Sequence, residues 1–255
     1  MRVHAMGRVV GWEGASLWIL GPRPGAAPYP RTTAHAHHAQ QLTLGLKGPF
    51  HLASDDLRYE GDCAAVAPNV PHTFETLDRV VHLFIEPESR HGRALVGRLF
   101  GASPLAAVPR ASLGDLPARL TAWYDGPGRA DAALIGLGRE LAATLAEGAE
   151  PEVLDPRVRR IVHWATDHSD RPLSLADAAR LVGLSRSRAR PLFVAQTGLP
   201  FRTGLLWIRL QRAVGAYAEG ASLTDAALAA GFADSAHFSR TFRTMFGITA
   251  ASLQL

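Results

Sequence analysis

Of the 255 residues in this chain only one is cysteine and only one is lysine. The single thiol, Cys63, excludes an intrachain disulfide and any zinc site built on several cysteines. It lies in the apolar run 63–67 and reads as a buried, unreactive thiol. No apolar run approaches the roughly 20 residues that span a bilayer. The start of the chain also lacks the basic-then-apolar pattern of a secretory signal, so a cytoplasmic address with no membrane partner is expected. What remains is ordinary for a globular protein, with 47% hydrophobic and 20% charged residues and ample length for a core.

With Lys47 the only lysine, arginine carries the positive charge, and it is unevenly placed. Residues 151–255 hold 13 arginines against 8 acids, a net +5, whereas residues 1–150 balance 14 basic side chains against 15 acids. Histidine leans the other way, with eight of the 11 before position 151. A basic C-terminal part beside a near-neutral, histidine-rich N-terminal part points to two jobs in two domains.

Up to about position 90 the chain reads as β. Short apolar stretches at 16–20, 41–46, 50–53, 63–67 and 80–85 are separated by Gly, Pro and Asp turns, a spacing that suits a sandwich or barrel. Near 93–100, 113–124 and 131–146 the apolar period turns helical. Leu134, Leu137, Leu141 and Leu145 form a stripe suited to a core or a dimer contact. Glu86 and Glu88 flank Pro87 and read as a solvated turn. Residues 148–151 read as a linker, and Asp155-Pro156 as the capped start of a new helix.

From there one phrase occurs twice. Ser174, Asp177, Ala178, Ala179, Gly183 and Leu184, closing on Phe193 and Gly198, are answered by Ser222, Asp225, Ala226, Ala227, Gly231 and Phe232, closing on Phe242 and Gly247. Each copy is a capped short helix, a glycine turn and a second amphipathic helix, the outline of a helix-turn-helix. A long helix from Pro200 to about Tyr217 connects them. The first reading helix is expected to start at Ser185 and expose Arg186, Ser187, Arg188 and Arg190. The second is expected to start near Asp234 and expose Ser235, Ala236, His237 and Arg240. Arginines at such a position can make paired hydrogen bonds to guanine, whereas Arg202, Arg209 and Arg243 are placed as phosphate clamps. Pro191 falls inside the first reading helix and is expected to kink or shorten it after Arg190.

These residues resemble the C-terminal domain of the AraC/XylS family of transcriptional regulators. The second unit carries the likeness most fully, through Ala227, Gly231, Phe232, Asp234, Phe238, Ser239, Arg240, Phe242, Arg243, Phe246, Gly247, Ile248 and Thr249. The connecting helix adds Phe201, Leu205, Arg209, Leu210 and Ala213, while Ala250 stands where the family usually carries proline. The resemblance implies a double-stranded DNA partner at a promoter or operator.

A second likeness lies upstream. His35, His37, His38 and Gln41, then Gly61, Asp62, Pro68 and His72, resemble the two half-motifs of a cupin barrel. That resemblance implies a metal held by His35, His37, Gln41 and His72, with no other cofactor implied. Gln41 stands in place of the usual glutamate, and Ala67 and Asn69 in place of a proline and a glycine. On an extended strand His35 and His37 share a face; a shift of one residue would put His38 in place of His37. Three imidazoles suit Zn, Cu, Ni or Fe, and the same residues without metal would line a polar effector pocket.

The expected architecture is α+β. It comprises a cupin-like β-barrel with flanking helices (1–92), a helical linker or dimerisation region (93–150), and an all-α DNA-binding domain of two helix-turn-helix units joined by a long helix (155–255). The expected function is transcriptional regulation by a homodimer, with the N-terminal domain sensing a small molecule or a metal, and no enzymatic role. The alternative is a metal-dependent cupin enzyme, a dioxygenase or isomerase, fused to a DNA-binding domain. A third class, an architectural DNA-binding protein whose barrel only dimerises, leaves the histidines without a role.

Overall fold

A computed structural model describes residues 3–25, 31–101 and 103–255. The chain divides into two compact units, Met1–Pro151 together with Phe242–Leu255, and Glu152–Thr241. No helix among the described residues is long and apolar enough to cross a membrane.

In the first unit a seven-stranded sheet has the order β10-β1-β2-β8-β3-β6-β9, and a three-stranded sheet the order β5-β4-β7. The strands are β1 (Ala5–Trp12), β2 (Ala15–Pro22), β3 (Gln40–Gly45), β4 (Phe50–Ser54), β5 (Leu57–Gly61), β6 (Cys63–Val66), β7 (Thr73–Thr76), β8 (Val80–Ile85), β9 (Leu105–Ala107) and β10 (Leu253–Gln254). The sheets are the two layers of a jelly roll rather than one closed ring of strands. All pairings are antiparallel except β1 with β10, where the last strand of the chain adds parallel to the first.

Strands β2, β3 and β8 are buried along nearly their whole length because both faces of the large sheet are covered. One face presents Leu17, Ile19, Leu42, Leu44, Val81, Leu83 and Ile85 to helices α1 (Arg90–Leu99), α2 (Leu116–Asp125) and α3 (Asp131–Ala146). All four leucines of the α3 stripe lie in this core. Arg8 on β1 fixes α3 by a two-point ion pair to Asp131, at 2.8 and 2.5 Å, which holds that carboxyl below its usual range. The other face presents Trp18, Gln41, Thr43, His82 and Phe84 to the smaller sheet, whose Phe74 meets the His82 ring edge-on at 4.8 Å.

Two local expectations are corrected. Glu88 does not sit in a solvated turn: its carboxylate meets His38 Nε2 at 2.7 Å, with side chains only 9% and 3% exposed. That pairing also turns His38 away from the other histidines, so it does not stand in for His37. Cys63 is buried as expected, and burial pushes its thiol up to about 12.

The second unit is all helix: α4 (Pro156–Asp167), α5 (Leu175–Leu181), α6 (Arg186–Thr197), α7 (Phe201–Ala218), α8 (Leu223–Ala229) and the first part of α9 (Ser235–Phe246). Val158, Ile161, Ala178, Phe193, Phe201 and Leu205 form one core between α4, α5, α6 and α7. Asp155 caps α4 by accepting the Arg157 amide hydrogen at 2.8 Å, with Pro156 at the first helical position.

Because Leu141 is fully buried between the sheet and the α3 neighbours, Leu141→Ala is expected to lower unfolding free energy by about 2–5 kcal/mol. Urea melts at two protein concentrations check this. A concentration-dependent loss of assembly with unchanged stability would instead mark the stripe as a dimer face.

Candidate nucleic-acid interface and effector site

The two helix-turn-helix units repeat in backbone detail. Ser174 and Ser222 each accept the amide hydrogen three residues on, at 3.2 and 3.1 Å, from Asp177 and Asp225. The first is a full capping box completed by an aspartate. Both short helices end alike: Leu184 N–H donates to the Ala179 carbonyl at 2.9 Å, and Phe232 N–H to the Ala227 carbonyl at 3.0 Å. This six-to-one closure requires a left-handed residue before the donor, supplied by Gly183 (φ 68°) and Gly231 (φ 86°). At Gly231 a side chain would also strike the Ser169 carbonyl, so shape and dihedral both demand glycine there.

On α6, Arg186, Ser187, Arg188 and Arg190 are exposed while Ala189 is fully buried. On α9, Ala236 and Arg240 are exposed; Ser235 and His237 are half-buried, the His237 ring edge-on to Phe232 at 5.2 Å. Asp234 accepts the His237 amide hydrogen at 2.6 Å, the act of an N-cap, so this helix begins where the sequence placed it. Between Asp177 and Glu219 the chain holds seven arginines and no acid. That asymmetry gives the unit the electrostatic footprint of a polyanion reader.

The clamp candidates divide. Arg202 and Arg243 are exposed. Arg209 is tied inward: Nε donates to the Ser169 carbonyl and Nη2 to the Arg171 carbonyl, each at 2.8 Å. It braces α7 against the loop before α5, a role that its position in the sequence did not reveal.

The expected shortening of the first reading helix does not occur, since α6 runs past Pro191 to Thr197. The missing amide forfeits one bond to the Ser187 carbonyl. Burial of Phe193, edge-on to Phe201 at 5.5 Å, holds the following turns in place.

In the first unit the sheet layers bring three histidines together. His35 and His72 exchange both backbone hydrogen bonds, at 3.0 and 2.8 Å, so their side chains stand side by side with ring centroids 4.2 Å apart. His37 lies two residues on from His35 and completes the group, 5.1 Å from His72. Asn69, whose N–H donates to the His37 carbonyl, holds the left-handed turn (φ 60°) that brings His72 back; asparagine tolerates this conformation better than most residues.

One ring nitrogen from each of the three histidines lies within 4.8 Å of the others. Each Nδ1 faces a backbone carbonyl: Thr33 at 2.9 Å, Ala39 at 2.8 Å and Val70 at 2.8 Å. A carbonyl only accepts, so each Nδ1 carries the proton and each neutral ring presents its Nε2 lone pair. Burial, followed by the neighbouring His72, pulls His35 down to about 3; burial likewise lowers His72 and takes His37 well below its ordinary value. Gln41 Oε1 lies 2.9 Å from His37 Nε2, and its amide donates to Thr43 Oγ1 at 2.8 Å. His82, which sequence reasoning passed over, sits beside them with Nδ1 3.0 Å from Thr43 Oγ1; burial lowers it to about 3. Its signal was a histidine on the inward register of an otherwise apolar strand.

An apolar pocket opens beside this cluster, walled by Trp18, Phe74, Phe84, Phe246 and Ile248, with His35, Gln41 and His82 as polar points. Phe246 stacks in a tilted arrangement on Trp18 at 4.7 Å.

Two helix-turn-helix units, the first with an arginine-rich exposed face, together with a jelly-roll unit that holds a pocket, define a DNA-binding transcriptional regulator. Residues 178–254 match a protein family described as a helix-turn-helix domain. The whole chain is similar in fold to ToxT from Vibrio cholerae O395, with a TM-score of 0.59 at 13% identity over 94% of this chain and 96% of that one. It is similar also to ToxT of Vibrio cholerae strain SCE256 with an unsaturated fatty acid bound, at 0.55 and 14% over 97% and 91%. A transcriptional regulator from Chromobacterium violaceum, of the AraC-type DNA-binding domain-containing proteins, is 34% identical over 37% of this chain and 85% of its own, with a TM-score of 0.36. Residues 178–254 thus carry the helix-turn-helix domain of that family.

Restoring the donor that Pro191 lacks should tighten α6. Pro191→Ala is expected to stabilise the protein by roughly 1–3 kcal/mol, less what proline gains by stiffening the unfolded chain. A thermal melt with an unchanged or lower Tm would count against the lost bond to Ser187.

Proposed function

We propose that this chain is a sequence-specific, effector-responsive regulator that binds double-stranded promoter DNA through α6 and α9. Residues 1–92 sense a small molecule or a metal, residues 93–150 form a helical linker or dimerisation region, and residues 155–255 serve as the DNA-binding domain. The observation that carries the reading is the duplicated frame, with seven arginines and no acid between Asp177 and Glu219. Arg186, Ser187, Arg188 and Arg190 on the first helix, and Ser235, Ala236, His237 and Arg240 on the second, are the base-reading groups. Arg202 and Arg243 contact phosphates, and Arg209 chiefly positions α7.

The pocket beside the histidines supports the sensing role: it is apolar, with a few convergent polar groups, the usual make-up of a small-molecule site. An effector acts only by binding two arrangements of the protein with different affinity. We place the protein in the cytoplasm and expect it to act as a homodimer on repeated half-sites. The four α3 leucines are occupied by the core, so the dimer contact would use other surfaces of residues 93–150. An enzymatic role has less support, because an amide stands at Gln41 where metal-assisted chemistry would use an acid.

Selection of binding sites from random DNA gives the operator. On that operator Arg240→Ala should weaken binding by about 5- to 150-fold, the equivalent of roughly 1–3 kcal/mol for one paired arginine–guanine contact. Arg180→Ala should change it little, because Arg180 lies on the supporting helix and pairs with Asp177. Equal losses in the two variants would refute this assignment of the reading face.

A further inference from the structure

Two imidazoles at the pocket are set as hydrogen-bond acceptors. The Nδ1 protons of His35 and His72 are committed to the Thr33 and Val70 carbonyls, so each neutral ring has only its Nε2 lone pair to offer. His72 Nε2 is buried without a hydrogen-bond partner, a costly state for a polar atom. His35 lines the pocket, with its ring centroid 4.2 Å from that of His72. A lone pair is answered only by a donor, so a group that completes this pair must bring an O–H or N–H.

The charges and walls of the pocket narrow what that group belongs to. No lysine or arginine lines it among the described residues, so a carboxylate head would be desolvated with no cation to meet it. Its oxygens would also face the imidazole lone pairs. An ammonium head would donate, but no carboxylate joins the histidine cluster to balance it. The one acidic lining residue, Asp78, follows Leu77, which is 73% exposed, and so stands at the solvent end. The walls are aromatic: Trp18 meets Phe246 at 4.7 Å and Phe84 edge-on at 5.3 Å, and Phe84 meets Phe246 edge-on at 5.5 Å. Rings disposed in this way suit one more aromatic ring in the same offset or edge-on contacts.

We infer that the pocket takes an uncharged aromatic alcohol, a phenol, whose ring lies among Trp18, Phe84 and Phe246 and whose hydroxyl donates to the lone pairs of His35 and His72. This rests on the reading of the jelly-roll unit as the sensing part, and it names the effector class as a neutral hydrogen-bond donor rather than an ion. A phenol brings its donor without a charge, since like the tyrosine side chain it ionises only near pH 10. Bound there, it would touch Phe246, the last residue of α9.

The test titrates the full chain by calorimetry, with a chelator present, against four compounds that share a para-methyl ring and differ in the head. They are p-cresol, 4-methylanisole, p-toluate and 4-methylbenzylamine. p-Cresol should bind once per chain. 4-Methylanisole, which has the oxygen without the donor, should bind roughly tenfold more weakly. The anion and the cation should bind more weakly still. In a chain carrying both His35→Leu and His72→Leu, p-cresol should fall to the affinity of 4-methylanisole. Should that chain fail to fold, nitrogen-15 resonances of the native imidazoles report the same contact, because an Nε2 that accepts the hydroxyl shifts when p-cresol is added and not when 4-methylanisole is.

No binding of p-cresol, equal affinity for p-cresol and 4-methylanisole, or tighter binding of p-toluate or the amine would overturn the ligand class. So would p-cresol binding unaltered in the folded double variant. p-Cresol binding that follows this order while operator affinity stays unchanged would leave the ligand class standing and sink the sensing role. Operator affinity that responds to p-toluate or to a metal, and not to p-cresol, would do the reverse.

Discussion

The register between β3 and β8 governs the first unit. Thr43 pairs with His82 and Gln41 with Phe84, while the residues between them, Leu42 with Leu83 and Leu44 with Val81, face the helices. Because side chains alternate strictly along a strand, slipping one residue would turn the histidine-facing set into the helix-packed core and push leucines into the pocket. A sheet covered on both faces cannot tolerate such a slip. The same constraint that builds the core therefore aims Gln41 and His82 at the site.

The second unit is ordered by a different device. Its two frames share caps, glycine turns and buried alanine pairs, so the backbone presents two equivalent helices from dissimilar sequences. What differs is the outward face. The first helix offers three arginines within five residues, whereas the second offers Ser235, Ala236, His237 and Arg240. Close-set guanidinium groups combine paired contacts to guanine with strong phosphate attraction and steep salt dependence, whereas a small, mixed face suits shape-selective contact with base edges. The duplication thus supports two readers of unequal character on one scaffold.

Much of this was legible in the chain, and the reasons are local. Asp155-Pro156, Ser174, Ser222 and Pro200 mark helix starts because caps depend on a few neighbouring residues, and the apolar runs of β2, β3, β4, β6 and β8 are strands as read. Strand β1, with Gly7, Arg8 and Gly11, and the short β9 and β10 carry no such pattern. β1 is a strand because it forms a hairpin with the strongly apolar β2, and β9 and β10 because strands far along the chain pair with them. Non-local pairing also explains the misreadings. Glu88 looked solvated because its partner His38 is 50 residues away. Pro191 was expected to kink or shorten α6, and the helix is not shortened because Phe193 is buried against Phe201, a contact the sequence does not display. Arg209 was placed as a phosphate clamp, and its bracing role was hidden because its acceptors, the Ser169 and Arg171 carbonyls, lie 40 and 38 residues back.

The histidine cluster is joined to the end of α9 by a contact that leaves no slack. The Gly247 carbonyl accepts hydrogen bonds from Thr33 N–H at 3.0 Å and Thr33 Oγ1 at 3.1 Å, within two residues of His35. Gly247 is left-handed (φ 69°), and a side chain there would stand 2.6 Å from His35 Nδ1. The Thr33 carbonyl that fixes the His35 tautomer therefore belongs to the same residue that anchors Gly247. Rotating His35 toward a ligand would draw on the hydrogen bond that orients its ring. Phe246, one residue earlier and the last of α9, forms part of the pocket wall. A molecule seated in that pocket would bear directly on this helix terminus, the minimum physical requirement for it to be felt beyond its own pocket.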